Sequence, residues 1–489
     1  MTAALFDFDN SYADRLDGLY VPVEPAGFPD AELLVFNEAL AQELALDVDR
    51  VRHLAASVFS GTVVPPGAMP LAQAYAGHQF GQLSPQLGDG RALLLGEVLD
   101  AVGDRRDIQL KGAGRTPFSR GGDGRATLGP VLREYLMGEA MHHLGVETTR
   151  ALAAVRTGET VVRDASLPGA VLTRVAASHI RIGTFQFFAV RGDMAKLLRL
   201  TEYTIARHYP QHLDAQSPAL RLLREVAIAQ ARLVTKWMLI GFVHGVMNTD
   251  NVSISGETID YGPCAFMEAY DPDTVFSSID HHGRYAYGNQ PAIGKWNLAR
   301  FAESLLPLIS EDPDEAVALC QTVLAQYEEE LQTRWVRGMG RKIGLQRSRA
   351  GDEELIRSLL ALAQRHAVDF TTLFRRLSDL VRGSDLVAMS LFADHDDARE
   401  WVQRWLARMK LEAGTSIDIA AEMDRINPVY IPRNHKVEAA LAAAIGGNLK
   451  PFNTLLDVLS DPFVERPEHS AFAQPAPASF GRYTTFCGT

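Results

Sequence analysis

Asn251 and Asp260 stand nine positions apart, the first in the run MNTDN and the second opening Asp260-Tyr261-Gly262. Amide and carboxylate oxygens are the donors a hard divalent cation takes. Mg²⁺ commonly accepts only one or two of them from protein and fills its shell with water and phosphate oxygens. The pair therefore fits a phosphate-bound Mg²⁺ held across a short excursion of chain. Asp250, beside Asn251, adds a carboxylate able to accept a proton. Upstream, Lys111 closes the run DIQLK, and Glu134 follows 23 positions later in a helical pattern. A strand lysine paired with a helix glutamate orients a cation against phosphates.

The order of these residues follows protein kinases. His244 and Asn251 keep the spacing of H-R-D-x-x-x-x-N, and Asp260-Tyr261-Gly262 takes the place of D-F-G. The position of the kinase catalytic aspartate, however, is Val246. Valine accepts no proton, so ordinary phosphoryl transfer to a hydroxyl is in doubt, and Asp250 is the nearest replacement. Gly88-Asp89-Gly90-Arg91 and the loop GAGRTPFSRGGDGR, with Asp123 and Gly124, offer backbone N–H groups and arginines to an anion. No Walker-A sequence is present. Arg174 and Arg181, in the apolar segment VLTRVAASHIRIGTF, each need an anionic partner. Carboxylates and phosphates would serve equally. His281-His282 and His142-His143 lack a third ligand at sensible spacing and read as structural or surface residues.

The elements that must position these groups divide the chain. RALLLGEVLD and RRDIQLK read as paired strands, TLGPVLREYLMGEAMHHLG as a helix, and ETVVRD and GAVLTRVAAS as further strands. The run ELLVFNEALAQELAL has a helical pattern, and NVSISGETI, between the two metal-type residues, reads as a short β-hairpin. Beyond residue 190 long helical segments take over, and AFAQPAPASFG reads as an extended tail. The expected architecture is α+β in two lobes, a strand-containing 1–190 carrying the Gly-rich loops and a mainly helical 191–489 carrying the metal motif.

Bulk properties narrow the class. A chain of 489 residues with 47% apolar and 22% charged residues is ordinary globular composition. The net charge of -12, spread along the chain, argues against nucleic acid as the main partner. Three scattered cysteines, Cys264, Cys320 and Cys487, make neither a disulfide framework nor a zinc site. The absence of a signal-like start and of any long apolar run points to a cytoplasmic enzyme with no membrane contact.

Longer peptides carry a more specific signal. YAGHQFGQLSPQLGDGRALLLGE, IQLKGAGRTPFSRGGDGRA, SSIDHHGRYAYGNQPAIGKWNLARFAE and NPVYIPRNH resemble the selenoprotein O (YdiU) family over nearly the whole chain. The resemblance implies a protein-kinase-like fold and protein AMPylation. ATP binds reversed, and AMP passes to Ser, Thr or Tyr hydroxyls of proteins; UMP transfer with Mn²⁺ is also associated with the family. It further implies that Gly88, Gly90, Arg91, Lys111, Asp123, Gly124, Arg174, Arg181 and Asp260 contact nucleotide. Asp250 would be the proton acceptor, and Asn251 and Asp260 the metal ligands. An atypical kinase and a nucleotide-binding pseudokinase scaffold are the competing functions. Some members carry selenocysteine near the C-terminus; here Cys487 stands there, and a redox-sensitive disulfide between Cys487 and Cys264 is a further expectation.

Overall fold

A computed structural model describes residues 5–383 and 396–486. The strands are β1 (Tyr20–Pro22), β2 (Glu32–Phe36), β3 (Leu71–Gln73), β4 (Gly77–Gln79), β5 (Gln82–Ser84), β6 (Ala92–Leu99), β7 (Arg105–Lys111), β8 (Ala126–Thr127), β9 (Arg150–Val162), β10 (Ser166–Ala176), β11 (Phe242–Val243) and β12 (Ala265–Phe266). Eight of them build one antiparallel sheet in the order β1-β3-β6-β7-β10-β9-β2, with β8 against β10. The fold is thus mixed α and β, with the large sheet drawn entirely from the first part of the chain.

Side chains alternate across a strand, so successive apolar residues serve opposite faces. Leu93 and Leu95 of β6 join Val51, Ala55 and Phe59 of the helix Val48–Phe59 in one core. Leu94 joins Leu132 and Leu136 of the helix Leu128–His143 in the other. Coverage on both faces explains why β6 reads as an unbroken apolar run. The expected strand pair β6–β7 is present, with Ala92 opposite Lys111.

The run ELLVFNEALAQELAL departs from its helical reading. Its first five residues are β2, paired with β9 from Glu32↔Arg156 to Phe36↔Ala153. Helix starts only after Asn37, whose side chain accepts from the Leu40 N–H. An N-cap of this kind satisfies a helical donor that has no partner of its own and sets the boundary.

The helix Pro218–Ile240 begins with proline in its first turn and stops at Gly241, whose φ of 73° suits only a residue without Cβ strain. The turn feeds β11, which pairs with β12. Everything between, residues 244–264, is an excursion clasped at its base by these two short strands. The expected hairpin at NVSISGETI is absent. Ser253 bridges Arg181 and Thr258 bridges Thr148, so each half of the segment finds its partner elsewhere in the chain.

Helices dominate the remainder, including Gln290–Ile309, Pro313–Lys342, Asp352–Arg365, Phe370–Val381 and Asn434–Ile445. The tail is less free than its composition suggests. Residues Ser470–Ala473 are helical, and Thr485 bridges Ser277 while its hydroxyl donates to the Pro263 carbonyl at 2.8 Å. Lys342 is buried, its ammonium over the Phe374 ring at 4.4 Å. Burial pushes its pKa down to about 7 from 10.5. The unfolded chain therefore holds this proton through the window from pH 7 to 10.5 while the folded chain sheds it, so this group's destabilising effect fades as pH rises. Lys342→Met is expected to raise the urea midpoint at pH 7, and the gain over wild type should shrink as unfolding is repeated toward pH 10.5.

Candidate nucleotide and metal site

Lys111 sits at the end of β7 and Glu134 within the helix Leu128–His143, and the expected pair forms, Nζ to Oε2 at 2.6 Å. Arg174, on the neighbouring β10, donates from Nε to Glu134 Oε1 at 2.9 Å. Asp260 closes the cluster. Its Oδ1 accepts from Lys111 Nζ at 3.0 Å and Arg174 Nη2 at 2.7 Å, and its Oδ2 accepts from Arg181 Nη1 at 2.5 Å. Arg174 and Arg181 are thus both bonded to carboxylates of this cluster. Burial opposes ionisation of Asp260, yet Arg174, Lys111 and Arg181 hold its carboxyl well below the usual range. Glu134 is likewise lowered against its burial by Arg174 and Lys111. Three cations and two carboxylates bond directly in this cluster, and the Asp89 carboxyl lies close to Arg181 and Arg174 as well.

Asp260 has φ of 62°, a left-handed conformation that aspartate tolerates better than most residues. The turn is held by Gly262 N–H donating to the Asp260 carbonyl at 2.8 Å. Tyr261 is buried beneath it, its hydroxyl on Thr148. His244 is also buried and contacts the Ile259 carbonyl through Nε2 at 2.9 Å, tying the start of the excursion to its far end.

Asp250 and Asn251 lie on a single 3₁₀ turn, Thr249–Asn251. The Asn251 amide donates to the Val246 carbonyl at 3.0 Å, which fixes its plane and leaves its oxygen as the free end. Asp250 is buried, with Oδ2 accepting from Gln79 Nε2 at 3.4 Å and Oδ1 without a partner. Burial pushes its carboxyl up to about 6. The β4–β5 hairpin roofs this turn: His78 N–H donates to Thr249 Oγ1 at 2.7 Å and Phe80 N–H to Asn248 Oδ1 at 3.1 Å. Gly77 is required here, because a Cβ would stand 2.1 Å from Asp250 Oδ1.

A cavity of about 640 Å³ gathers the expected residues. Gly88, Gly90, Arg91, Lys111, Asp123, Gly124, Glu134, Arg174, Arg181, Asp250, Asn251 and Asp260 all line it. Asp123 lies at its more open side, clamped by both Nη atoms of Arg163 at 2.8 and 2.9 Å, a pairing that pulls its carboxyl down to about 2. Gly124 packs where a Cβ would meet the Gly114 carbonyl oxygen at 2.0 Å.

The donor set fits a metal carried by phosphates. No group of three His, Cys, Asp or Glu able to hold a metal occurs among the described residues. Asp260 and the Asn251 oxygen are hard oxygen donors at one cavity wall. They are too few for a protein-only cage and suited to Mg²⁺ completed by phosphate oxygens.

The profile of the family described as "Protein adenylyltransferase SelO" matches residues 3–460. The chain belongs to this family. A relative from Cereibacter sphaeroides named "Protein nucleotidyltransferase YdiU" is 58% identical, covering 99% of this chain and all of its own length. One from Rhizobium etli with the same name is 54% identical, over 99% of this chain and 98% of its own. The family resemblance carried by the long peptides is therefore real.

Several cavity-lining residues carried no signal of their own in the sequence. Tyr75 lies under the Arg181 guanidinium at 4.7 Å, and Gln79 and Phe80 come from the hairpin. Asp89 is buried with one oxygen unpartnered, and burial pushes its carboxyl up to about 6. The sequence placed it inside a glycine turn and gave it no role. Cys264 is buried, and burial pushes its thiol up to about 11. Cys487, its expected disulfide partner, lies outside the described residues. No helix of the described residues is long and apolar enough to cross a membrane.

Proposed function

We propose that this cleft transfers AMP from ATP to hydroxyl groups of proteins, within a protein-kinase-like fold of two lobes, 1–190 and 191–489. The observation that carries the reading is the convergence of Lys111, Arg174 and Arg181 on Asp260, beside a buried Asp250 with a partnerless oxygen. A metal–nucleotide needs cations and a carboxylate together, and an acceptor hydroxyl needs a base at the same place.

The division of labour follows from the contacts. Glu134 holds Lys111 and Arg174 in place. Phosphate oxygens at the cluster would accept hydrogen bonds from these cations, and Asp260 and Asn251 would hold the Mg²⁺ or Mn²⁺. The metal supplies neutralisation of phosphate charge when bound. Asp250 accepts the proton of the attacking Ser, Thr or Tyr hydroxyl, the bond from hydroxyl oxygen to α-phosphorus forms, and pyrophosphate leaves. Gly88, Gly90, Arg91, Asp123 and Gly124 contact the remainder of the nucleotide. UTP as an alternative donor fits the same cation cluster, because the cluster addresses phosphates and no base.

ATP labelled at either the α- or the γ-phosphate separates this reading from its rivals. With divalent metal and protein acceptor, α-label is expected on protein and none of the γ-label. Stable γ-label on protein would mean a kinase. Bound ATP with neither label transferred would mean a scaffold.

A further inference from the structure

The hairpin that roofs Asp250 has an outer side. Residues Gly77–Ser84 contribute no carboxylate, lysine or arginine. The charges around the hairpin come from its neighbours. The Arg284 guanidinium lies next to Gly81 and over the Trp296 ring at 4.7 Å. At the other end Arg191 lies over Phe187 at 3.5 Å and donates to the Pro85 carbonyl at 2.9 Å. Neither forms an ion pair with a carboxylate among the described residues. Arg300 also reaches Trp296, at 5.1 Å, but is neutralised by Glu303 at 2.5 Å. The nearby Asp280 carboxylate is taken up by the Arg284 and Tyr285 backbone N–H groups at 2.9 and 2.8 Å, so in a chain of net charge -12 two arginines without ion pairs on aromatic platforms beside one hairpin are a local reversal of sign.

Position gives the reversal a meaning. Phe80 lines the cavity and meets the Tyr285 ring at 5.1 Å, and Tyr285 in turn donates to Asn248 Oδ1 at 2.6 Å. Arg284 is therefore one residue from a side chain that touches the Asp250 turn. Exposed Leu83 and Ile279 add apolar contacts along the same rim. Arginine stacked on an aromatic ring keeps its charge presented at little entropic cost, a common anchor at protein interfaces.

We propose that the rim formed by Arg191, Arg284 and Trp296 around the Gly77–Ser84 hairpin docks an acidic segment of the acceptor protein, delivering its hydroxyl to Asp250. The inference rests on the cleft being a protein nucleotidyltransferase site. It names the charge of the substrate that the site selects. The hairpin links the two functions, because it carries the rim outside and fixes the Asp250 turn inside.

Three fluorescently labelled peptides with one serine each, flanked by Glu, by Ala and Gly, or by Lys, test it with α-labelled ATP. Wild type should label the acidic peptide with kcat/KM roughly tenfold above the neutral one, a preference that weakens as salt rises. The double variant R191E/R284E should invert the order of acidic and basic peptides, with ATP affinity and neutral-peptide labelling unchanged. Equal labelling of all three peptides by wild type, or the same ranking in the variant, would overturn the docking surface while leaving nucleotidyl transfer standing. Absence of label on every peptide would count against the transfer reading instead. Fluorescence anisotropy at fixed salt then decides docking by itself: stronger binding of the acidic peptide, lost in the variant, upholds it. Tighter binding of an oligouridylate than of the acidic peptide would assign the rim to nucleic acid and overturn the proposal.

Discussion

Asp260→Asn should remove α-label transfer by at least about a hundredfold, because it deletes the one carboxylate shared by the metal position and all three cations. The amide keeps the volume and one oxygen but loses the charge. Its loss leaves Lys111 and Arg174 bonded to Glu134 and takes from Arg181 its one bonded carboxylate. Uncompensated buried cations cost stability, up to about 3–5 kcal/mol when a partner is removed. Thermal unfolding must therefore accompany the assay. A folded variant with full transfer would sink the assignment of Asp260 to the metal. Excess positive charge in the variant should also hold free ATP without metal more tightly than wild type does, a binding measurement that a merely unfolded protein fails.

Asp250→Asn is expected to slow transfer by about a hundredfold to ten-thousandfold, the usual range for removing a positioned general base. Nucleotide affinity should stay near wild type, because the cations that meet the phosphates do not depend on this side chain. The geometry allows the substitution to be nearly isosteric: Gln79 remains opposite one terminal atom and Gly77 opposite the other. A parallel fall in ATP affinity and rate would mean that Asp250 serves the metal and not the acceptor hydroxyl. An unchanged rate would remove it from the mechanism.

Much of this site was legible because it is written in residue types with narrow chemical uses. Lys111 and Glu134 sit on the strand and the helix expected of them, and their pairing is present. The partners of Arg174 and Arg181 were not legible, since Asp260 is 86 and 79 residues away and a phosphate would have satisfied the same arginines. The hairpin reading of NVSISGETI failed for a related reason. Its alternation is that of strands, but its two isolated bridges run to Arg181 and Thr148. Local pattern records that a backbone wants a partner and is silent on which one. ELLVF shows the reverse case, where a helical pattern spilled across a real boundary at Asn37. Gln79 and Gly77 escaped attention because an amide and a missing Cβ announce no chemistry; only the neighbouring Asp250 carboxylate gives them one.

The bond from Thr485 to the Pro263 carbonyl spans 222 residues and ends three positions past Asp260. A chain made from its N-terminus must extend by that whole length before the contact can close. Loop-closure entropy falls on a late step of assembly. During synthesis the sheet, the Lys111–Glu134 pair and the Asp260 turn, clasped by β11–β12 and by Arg133 on the Gly262 and Cys264 carbonyls, can all be present before Thr485 adds its bond. A ribosome-bound intermediate would then hold the cations and the metal loop in place before the C-terminal segment docks behind them.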